Sequence, residues 1–335
     1  MQTASPSKIG VTLEQIDISP AHGQLIGKAM AQAFPGQTWT LLNQVGGGLS
    51  TSLIYKVAVD GKPYVARLSD PANPLNNLAR EYDAMALAAN QNLGPRLYHA
   101  NPDTGIALMD FVESQPWRGG EANAAEMMRQ MAHLIRTMHG GAAFQQDNPL
   151  TAKVEDLWRQ MRSDLAEHPL VQRNMAQLRQ LAPMLNDPAD ARPCHCDINP
   201  GNVLYDGQRL WLVDWAAAAQ ESFYFDLACC CNFFYQSPEA EAAFLRAYFE
   251  RPLTPPEEAK YARMNTFVAI YYGLIFLFLS SHSGIALLSA SAIDALPTQR
   301  QFWQRIGQGQ ESLSDPLSQQ RLGFVYLQKA ARALS

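Results

Sequence analysis

Cys194-His195-Cys196-Asp197-Ile198-Asn199-Pro200-Gly201-Asn202, followed by a hydrophobic run that ends in Val213-Asp214-Trp215, decides how this chain reads. It spells H-x-D-x-x-x-x-N and then a second Asp. Phosphoryl transfer needs few protein parts, and this spacing can supply them. One carboxylate must orient a hydroxyl nucleophile, while an amide oxygen and another carboxylate hold Mg²⁺ against a triphosphate. Asp197, Asn202 and Asp214 offer those groups in that order. Taken singly, each has a plainer explanation: Asn, Pro and Gly make turns cheaply, and an Asp ending a strand is often a cap. The fixed Asp-to-Asn spacing, the short hairpin and the apolar run before the second Asp are specific as a set.

Working upstream, Gly46-Gly47-Gly48-Leu49-Ser50-Thr51-Ser52 lies between two strand candidates, Thr40 to Val45 and Leu53 to Val59. Glycines let backbone amides approach phosphate oxygens, and Ser50 adds a hydroxyl donor. No Gly-Lys-Ser/Thr follows, and Thr51 stands where a third glycine would complete G-x-G-x-x-G. A plain hairpin turn explains the same residues. Arg67 closes Val65-Ala66-Arg67-Leu68, a strand suited to burial. Its forked guanidinium suits phosphate, and Glu81, 14 positions on, would orient it from a helix. A strand-edge charge and a solvated glutamate remain the alternative. Met109-Asp110-Phe111-Val112 falls where an adenine ring would meet the backbone of a hinge, which marks Met109 and Phe111 as nucleotide contacts.

Asp60-Gly61 is a two-residue hairpin signal, with Tyr64 to Leu68 as a third strand. Asn77 to Asn90 carries an imperfect helical stripe and stops near Gly94-Pro95. Arg96 to His99 and Ile106 to Phe111 add two strands around Asp103-Thr104-Gly105. Beyond Glu113 the pattern turns helical: Ala122 to His139, Val154 to Leu165, Val171 to Leu185, Asp226 to Phe234, Pro238 to Phe249, Pro256 to Ser280 and two C-terminal stretches. Between them, Val203 to Tyr205 and Leu210 to Val213 form short strands joined by Asp206-Gly207. The boundary near Met109 to Ser114 divides the chain into a nucleotide-binding lobe, 1–112, and a catalytic and acceptor-binding lobe, 113–335.

The chain has 335 residues, 47% of them hydrophobic and 17% charged, which is enough for two lobes around a cleft. A net charge of −5 argues against nucleic acid as partner. Five cysteines, three of them adjacent, argue for reduced thiols in a cytoplasmic protein rather than a disulfide framework. Cys194-His195-Cys196 lacks a second ligand pair at zinc-like spacing. The segment Met1 to Ser19 has no apolar core of a signal peptide. The apolar run Phe267 to Leu279 is 13 residues long, short of the roughly 20 a bilayer requires.

Together these residues resemble the aminoglycoside phosphotransferase and choline kinase superfamily. The likeness runs from about Gly46 to Asp226. His195-x-Asp197-x-x-x-x-Asn202 with Asp214-Trp215 carries it, supported by the Gly46-Gly47-Gly48 turn, Glu81, Gly94-Pro95-Arg96-Leu97-Tyr98 and Asp226-Leu227-Ala228. The resemblance implies an α+β, protein-kinase-like bilobal fold: a small antiparallel-sheet N-lobe with one main helix, and a larger, mostly helical C-lobe. It implies ATP and Mg²⁺ as cofactors, Asp197 as catalytic base, and Asn202 and Asp214 as metal ligands. His195 would brace the loop, and Asp226 would anchor it from the following helix. Arg at position 67 looks more like the choline, ethanolamine and thiamine kinase branches than the antibiotic-resistance enzymes.

One spacing stands without any family. Asp226 follows Asp214 by only 12 positions, and no Ala-Pro-Glu follows. A peptide platform needs a longer segment, so a small-molecule hydroxyl is the expected acceptor. Aromatic residues crowd the C-terminal half, among them Phe233, Tyr271, Tyr272 and Trp303, and aromatic faces attract cationic groups. Most such rings in any protein are simply core. A cationic alcohol is the preferred acceptor class, with aminoglycosides and hydroxy amino acids as alternatives. A nucleotide-binding pseudokinase is a further reading, favoured by Arg67 and the missing third glycine.

Overall fold

The computed structural model describes residues 18–46, 52–74, 76–116 and 121–332. It divides into two compact units, Met1–Asn76 with Leu97–Phe111, and Asn77–Arg96 with Val112–Ser335.

The first unit opens with α1 (Pro20–Ala33), which the hydrophobic pattern does not announce. Its start follows helix-capping chemistry: the Ser19 hydroxyl accepts from His22 N, and Pro20 takes the first helical position. Then come β1 (Trp39–Val45), β2 (Leu53–Val59), β3 (Lys62–Leu68), β4 (Leu97–Asn101) and β5 (Ile106–Asp110). They form one antiparallel sheet in the order β1-β2-β3-β5-β4. The β2–β3 turn is Asp60-Gly61, both at positive φ (49° and 80°), which is the twist a tight hairpin needs. Ile26, Ala29 and Met30 of α1 pack with Tyr55, Val57, Ala66, Ile106 and Leu108 of the sheet to form this unit's core. Helix α1 packs on this sheet.

The helix at Leu78–Asn90, α2, belongs by its contacts to the second unit, together with the Gly94-Pro95 loop. The remaining elements are α3 (Glu121–His139), α4 (Leu150–Gln160), α5 (Ser163–Ala166), α6 (Pro169–Leu181), β6 (Ala191–Cys194), β7 (Val203–Tyr205), β8 (Leu210–Leu212), β9 (Ala219–Ser222), α7 (Tyr224–Phe233), α8 (Pro238–Phe249), α9 (Pro255–Ser281), α10 (Ala290–Asp294), α11 (Gln299–Gly307) and α12 (Pro316–Arg332). The expected helix over 154–165 is broken, because Met161 leaves the α region and α5 restarts at Ser163. Strands β6 and β9, too short to show a period, pair antiparallel, and β7 pairs with β8.

Helix α9 is longer than its apolar stretch: 27 residues, enough by length and composition to cross a bilayer. Most of its apolar window is buried inside the protein. It lies against α12 with glycine facing glycine. A Cβ on Gly323 would come within 2.7 Å of Leu277 Cγ and 2.9 Å of the Gly273 carbonyl oxygen. Only hydrogen at these two positions lets the backbones approach so closely.

Candidate active site

The loop between β6 and β7 carries the decisive sequence. Its entry is fixed by Asp226 in the first turn of α7. That fully buried carboxylate accepts from His195 N through Oδ2 and from Cys196 N through Oδ1, both at 2.9 Å. Cys196 sits at φ 60°, a backbone state that costs about 1 kcal/mol or more for a residue with a Cβ and that the Asp226 bonds hold in place. Behind Asp226, His139 of α3 contributes Nε2 at 3.1 Å, and its Nδ1 meets the Tyr248 hydroxyl at 2.8 Å. Cys194 Sγ lies 3.8 Å from the same His139 nitrogen.

His195 does not face solvent. Its Nε2 donates to the Val213 carbonyl at 3.0 Å, and its ring rests 4.7 Å from that of Trp215. The imidazole thereby ties the 194–202 loop to the segment that leads into Asp214. Val213 N donates to the Asn202 carbonyl at 3.0 Å and closes the same connection from the other side.

Asp197 is held at both oxygens. Asn202 Nδ2 donates to Oδ2 at 2.8 Å, and the Tyr272 hydroxyl donates to Oδ1 at 3.0 Å. Burial pushes the carboxyl above the usual carboxylate range, while His195, Asn199 and Tyr272 pull it back. Burial also pushes the Tyr272 phenol well up, so the hydroxyl keeps its proton and acts as donor. The described bonds of Asn202 use its amide nitrogen, toward the Asp197 carbonyl at 2.9 Å and its carboxylate, so the amide oxygen points elsewhere. Asp214 occupies the left-handed region at φ 63°.

Helix α2 reaches this region through Arg80. Its guanidinium donates to the carbonyls of Ala218 at 2.7 Å and Ala216 at 2.9 Å, and pairs with Asp147 at 2.7 Å. Leu212 N donates to the Leu93 carbonyl at 2.8 Å, and a Cβ on Gly94 would lie 3.1 Å from the Leu212 carbonyl. These contacts explain why α2 joins the second unit.

The residues expected to meet nucleotide lie in both units. Glu81 is buried in the first turn of α2. Arg67, in the first unit, is almost fully buried on β3, in register with Ile54 and Ala107. Met109 lies on β5 opposite Val65 and Leu97. Phe111 follows that strand, with Lys56 Nζ 3.7 Å above its ring. Gly46 is the last described residue before Gly47, Gly48 and Ser50, which lie outside the described residues; a Cβ on Gly46 would meet nothing within 4 Å.

Sequence reasoning missed Arg80, His139 and Tyr248, and named Tyr272 only among the acceptor-side rings, not as a partner of Asp197. A hydroxyl in the run Phe267 to Leu279 was a signal, since a buried tyrosine hydroxyl must find a partner. Arg80 and His139 have none, because their partners are distant in sequence.

The profile of the phosphotransferase enzyme family matches residues 42–264, more than half of the chain. The curated protein LicA of Haemophilus influenzae is 24% identical over 215 residues, 62% of this chain and 62% of its own length, so the match spans less than two thirds of that relative. Among solved structures, the choline kinase LicA of Streptococcus pneumoniae superposes with a TM-score of 0.61 at 17% identity, covering 93% of this chain and 99% of its own. A choline/ethanolamine kinase family protein from Mesorhizobium loti gives a TM-score of 0.59 at 20% identity, covering 91% and 99%. The profile match falls across the Asp197 loop, Asp214 and the Asp226 anchor, and on that ground the chain belongs to the phosphotransferase enzyme family.

Proposed function

We propose that this protein is a small-molecule kinase that moves the γ-phosphate of ATP to an alcohol, with Asp197 as the base. The observation that carries the proposal is the two-point hold on Asp197. Asn202 and Tyr272 fix its carboxylate while burial raises its proton affinity, which suits a group that must accept a hydroxyl's proton as the new bond forms. The family match supports the reaction class.

The donor set fits a hard cation. The Asn202 amide oxygen is directed away from Asp197, and the Asp214 carboxylate follows from a strained backbone position typical of functional sites. These two oxygens would hold Mg²⁺, which when bound offsets charge on the phosphate oxygens. Asp197 orients the acceptor hydroxyl, and His195 keeps the two segments in register. Arg67, Gly46, Gly47, Gly48, Ser50, Met109 and Phe111 are assigned to the nucleotide, and Glu81 to support of its site. The buried, unpaired thiols agree with a cytoplasmic setting.

For the acceptor we favour a cationic alcohol of the choline, ethanolamine or thiamine kind. Tyr272 carries the Asp197 contact and packs, buried, against Phe233 at 4.8 Å between ring centroids. Phe233 continues to Trp303 at 5.4 Å and lines a cavity of about 350 Å³. Such faces attract a quaternary ammonium group, and the two structural neighbours described above are named for choline and ethanolamine. A second reading has its own observation. Arg300 lines the same cavity and favours an acceptor bearing a carboxylate, as a hydroxy amino acid does.

Release of ADP from Mg-ATP, measured against choline, ethanolamine, thiamine, aminoglycosides and hydroxy amino acids, tests both readings. Turnover with a cationic alcohol supports the first, and turnover with a hydroxy amino acid replaces it by the second. Thermal stabilisation by nucleotide without turnover on any acceptor would make the chain a pseudokinase.

A further inference from the structure

Asp214 needs outside help to stay where it is. At φ 63° Asp214 stands in the left-handed region, which costs a residue with a Cβ about 1 kcal/mol, less for aspartate than for most, and its neighbours on both sides help to hold it there. On the N-terminal side the neighbours are clear. Val213 is bonded through its carbonyl to His195 and through its N–H to Asn202, and Leu212 N is bonded to Leu93. On the C-terminal side the chain turns at once, with Ala218 N donating to the Trp215 carbonyl at 3.0 Å. The carbonyls of Ala216 and Ala218 end on the two terminal nitrogens of Arg80.

We propose that Arg80 is a positioning residue for Asp214, clamping the turn at 215–218 so that the Asp214 carboxylate keeps its aim. The inference rests on the reading of Asp214 as a ligand of nucleotide-bound Mg²⁺. The planar fork matters here, because its terminal nitrogens must reach two carbonyls two residues apart. An ammonium offers a single point charge and cannot bridge them in the same way. Asp147 supplies a counter-charge that it shares between Arg80 at 2.7 Å and Lys153 at 2.6 Å, which offsets part of the cost of burying the guanidinium and sets its orientation. The clamp arises from α2 one residue before Glu81, inside the second unit.

The test uses Arg80→Lys and Asp147→Asn in the full chain, with two readouts. The first is amide hydrogen exchange at 215–219 in nucleotide-free protein. The second is the Mg²⁺ concentration giving half of the thermal stabilisation produced by a fixed ADP concentration. Arg80→Lys is expected to speed exchange in that segment by about tenfold or more while the core of α9 stays protected, and to raise the Mg²⁺ midpoint severalfold. Asp147→Asn keeps the two carbonyl bonds and should move both readouts less, in the same direction. Should Arg80→Lys fail to fold, Asp147→Asn decides alone, and the segment must still exchange faster than in the wild type. Unchanged exchange at 215–219, or an unchanged Mg²⁺ midpoint, overturns the proposal. If wild-type protein shows no Mg²⁺-dependent stabilisation by ADP, the metal reading of Asp214 fails instead, and the exchange experiment still reports on the clamp.

Discussion

Tyr272 donates its hydroxyl proton to Asp197 Oδ1 across 3.0 Å, joining the middle of the longest helix to the candidate base. A hydrogen bond to a charged group contributes about 1.5–3 kcal/mol, and this one is half-buried in the second unit. Tyr272→Phe removes the hydroxyl and keeps the ring. With the best acceptor from the panel, kcat should fall by roughly 10-fold or more, since about 1.4 kcal/mol is a factor of ten. Unchanged kcat would show that Asn202 alone suffices to hold the carboxylate.

Asp197→Asn keeps the size of the side chain and removes its basicity. Turnover should drop nearly to background while ADP still stabilises the protein. General-base positioning is worth about 10²–10⁴-fold, so residual activity near the wild-type level would assign the base elsewhere.

Asp226 is fully buried and spends both oxygens on the amides of His195 and Cys196. Asp226→Ala leaves two buried N–H groups unpaired and strips His139 Nε2 of its carboxylate. Chemical denaturation should show a loss of about 3–5 kcal/mol. A loss below about 1 kcal/mol would mean that the loop is held by other contacts.

The start of α9 offers a pH test. Glu257 accepts from Thr254 N and Thr254 Oγ1 and pairs with Arg251, and chiefly the Arg251 bond holds its carboxyl down at about 2. A carboxyl with a folded value below its unfolded one stabilises the protein above the unfolded value, near 4.5, and loses that stabilisation as pH falls toward 2. Glu257→Gln should therefore lower the melting temperature at pH 7 by an amount matching about 1 kcal/mol or less, from the lost charge beside Arg251 and the helix N-terminus, since a glutamine can still close the capping box as Gln301 does in α11. The gap between variant and wild type should narrow as pH drops from about 5 to about 3. A gap independent of pH would leave the ionised carboxylate without a role.

Gly323→Val forces a branched side chain between α12 and α9, where Leu277 and the Gly273 carbonyl already fill the space. Overpacking of this kind costs about 1–3 kcal/mol, and backbone on the far side prevents easy relief. Thermal melting should show it, and Gly23→Ala on α1, with nothing near the added methyl, serves as control.

Much of this was legible before any coordinates. Strand β2 matches its sequence reading residue for residue, because the glycine- and serine-rich run before Leu53 and the Asp60-Gly61 turn after Val59 bound a short apolar stretch. The Asp197, Asn202 and Asp214 spacing identified the loop, and the structure shows Asp197 and Asn202 in contact. What could not be read is whatever depends on long-range closure. Arg80 meets residues more than 130 positions away, and Tyr272 meets one 75 positions away, so no local period encodes either. Helix α1 is the exception, since its Ser19-Pro20 start was visible and its weak apolar stripe hid it.

All five cysteines are unpaired and buried, Cys194 and Cys196 beside the Asp197 loop and the other three along α7. Thiol-directed reagents should therefore find almost no purchase on the native protein, and the rate of their slow reaction becomes a clock for opening of the second unit. A cysteine introduced on the surface can carry a single fluorophore without first removing the natural ones.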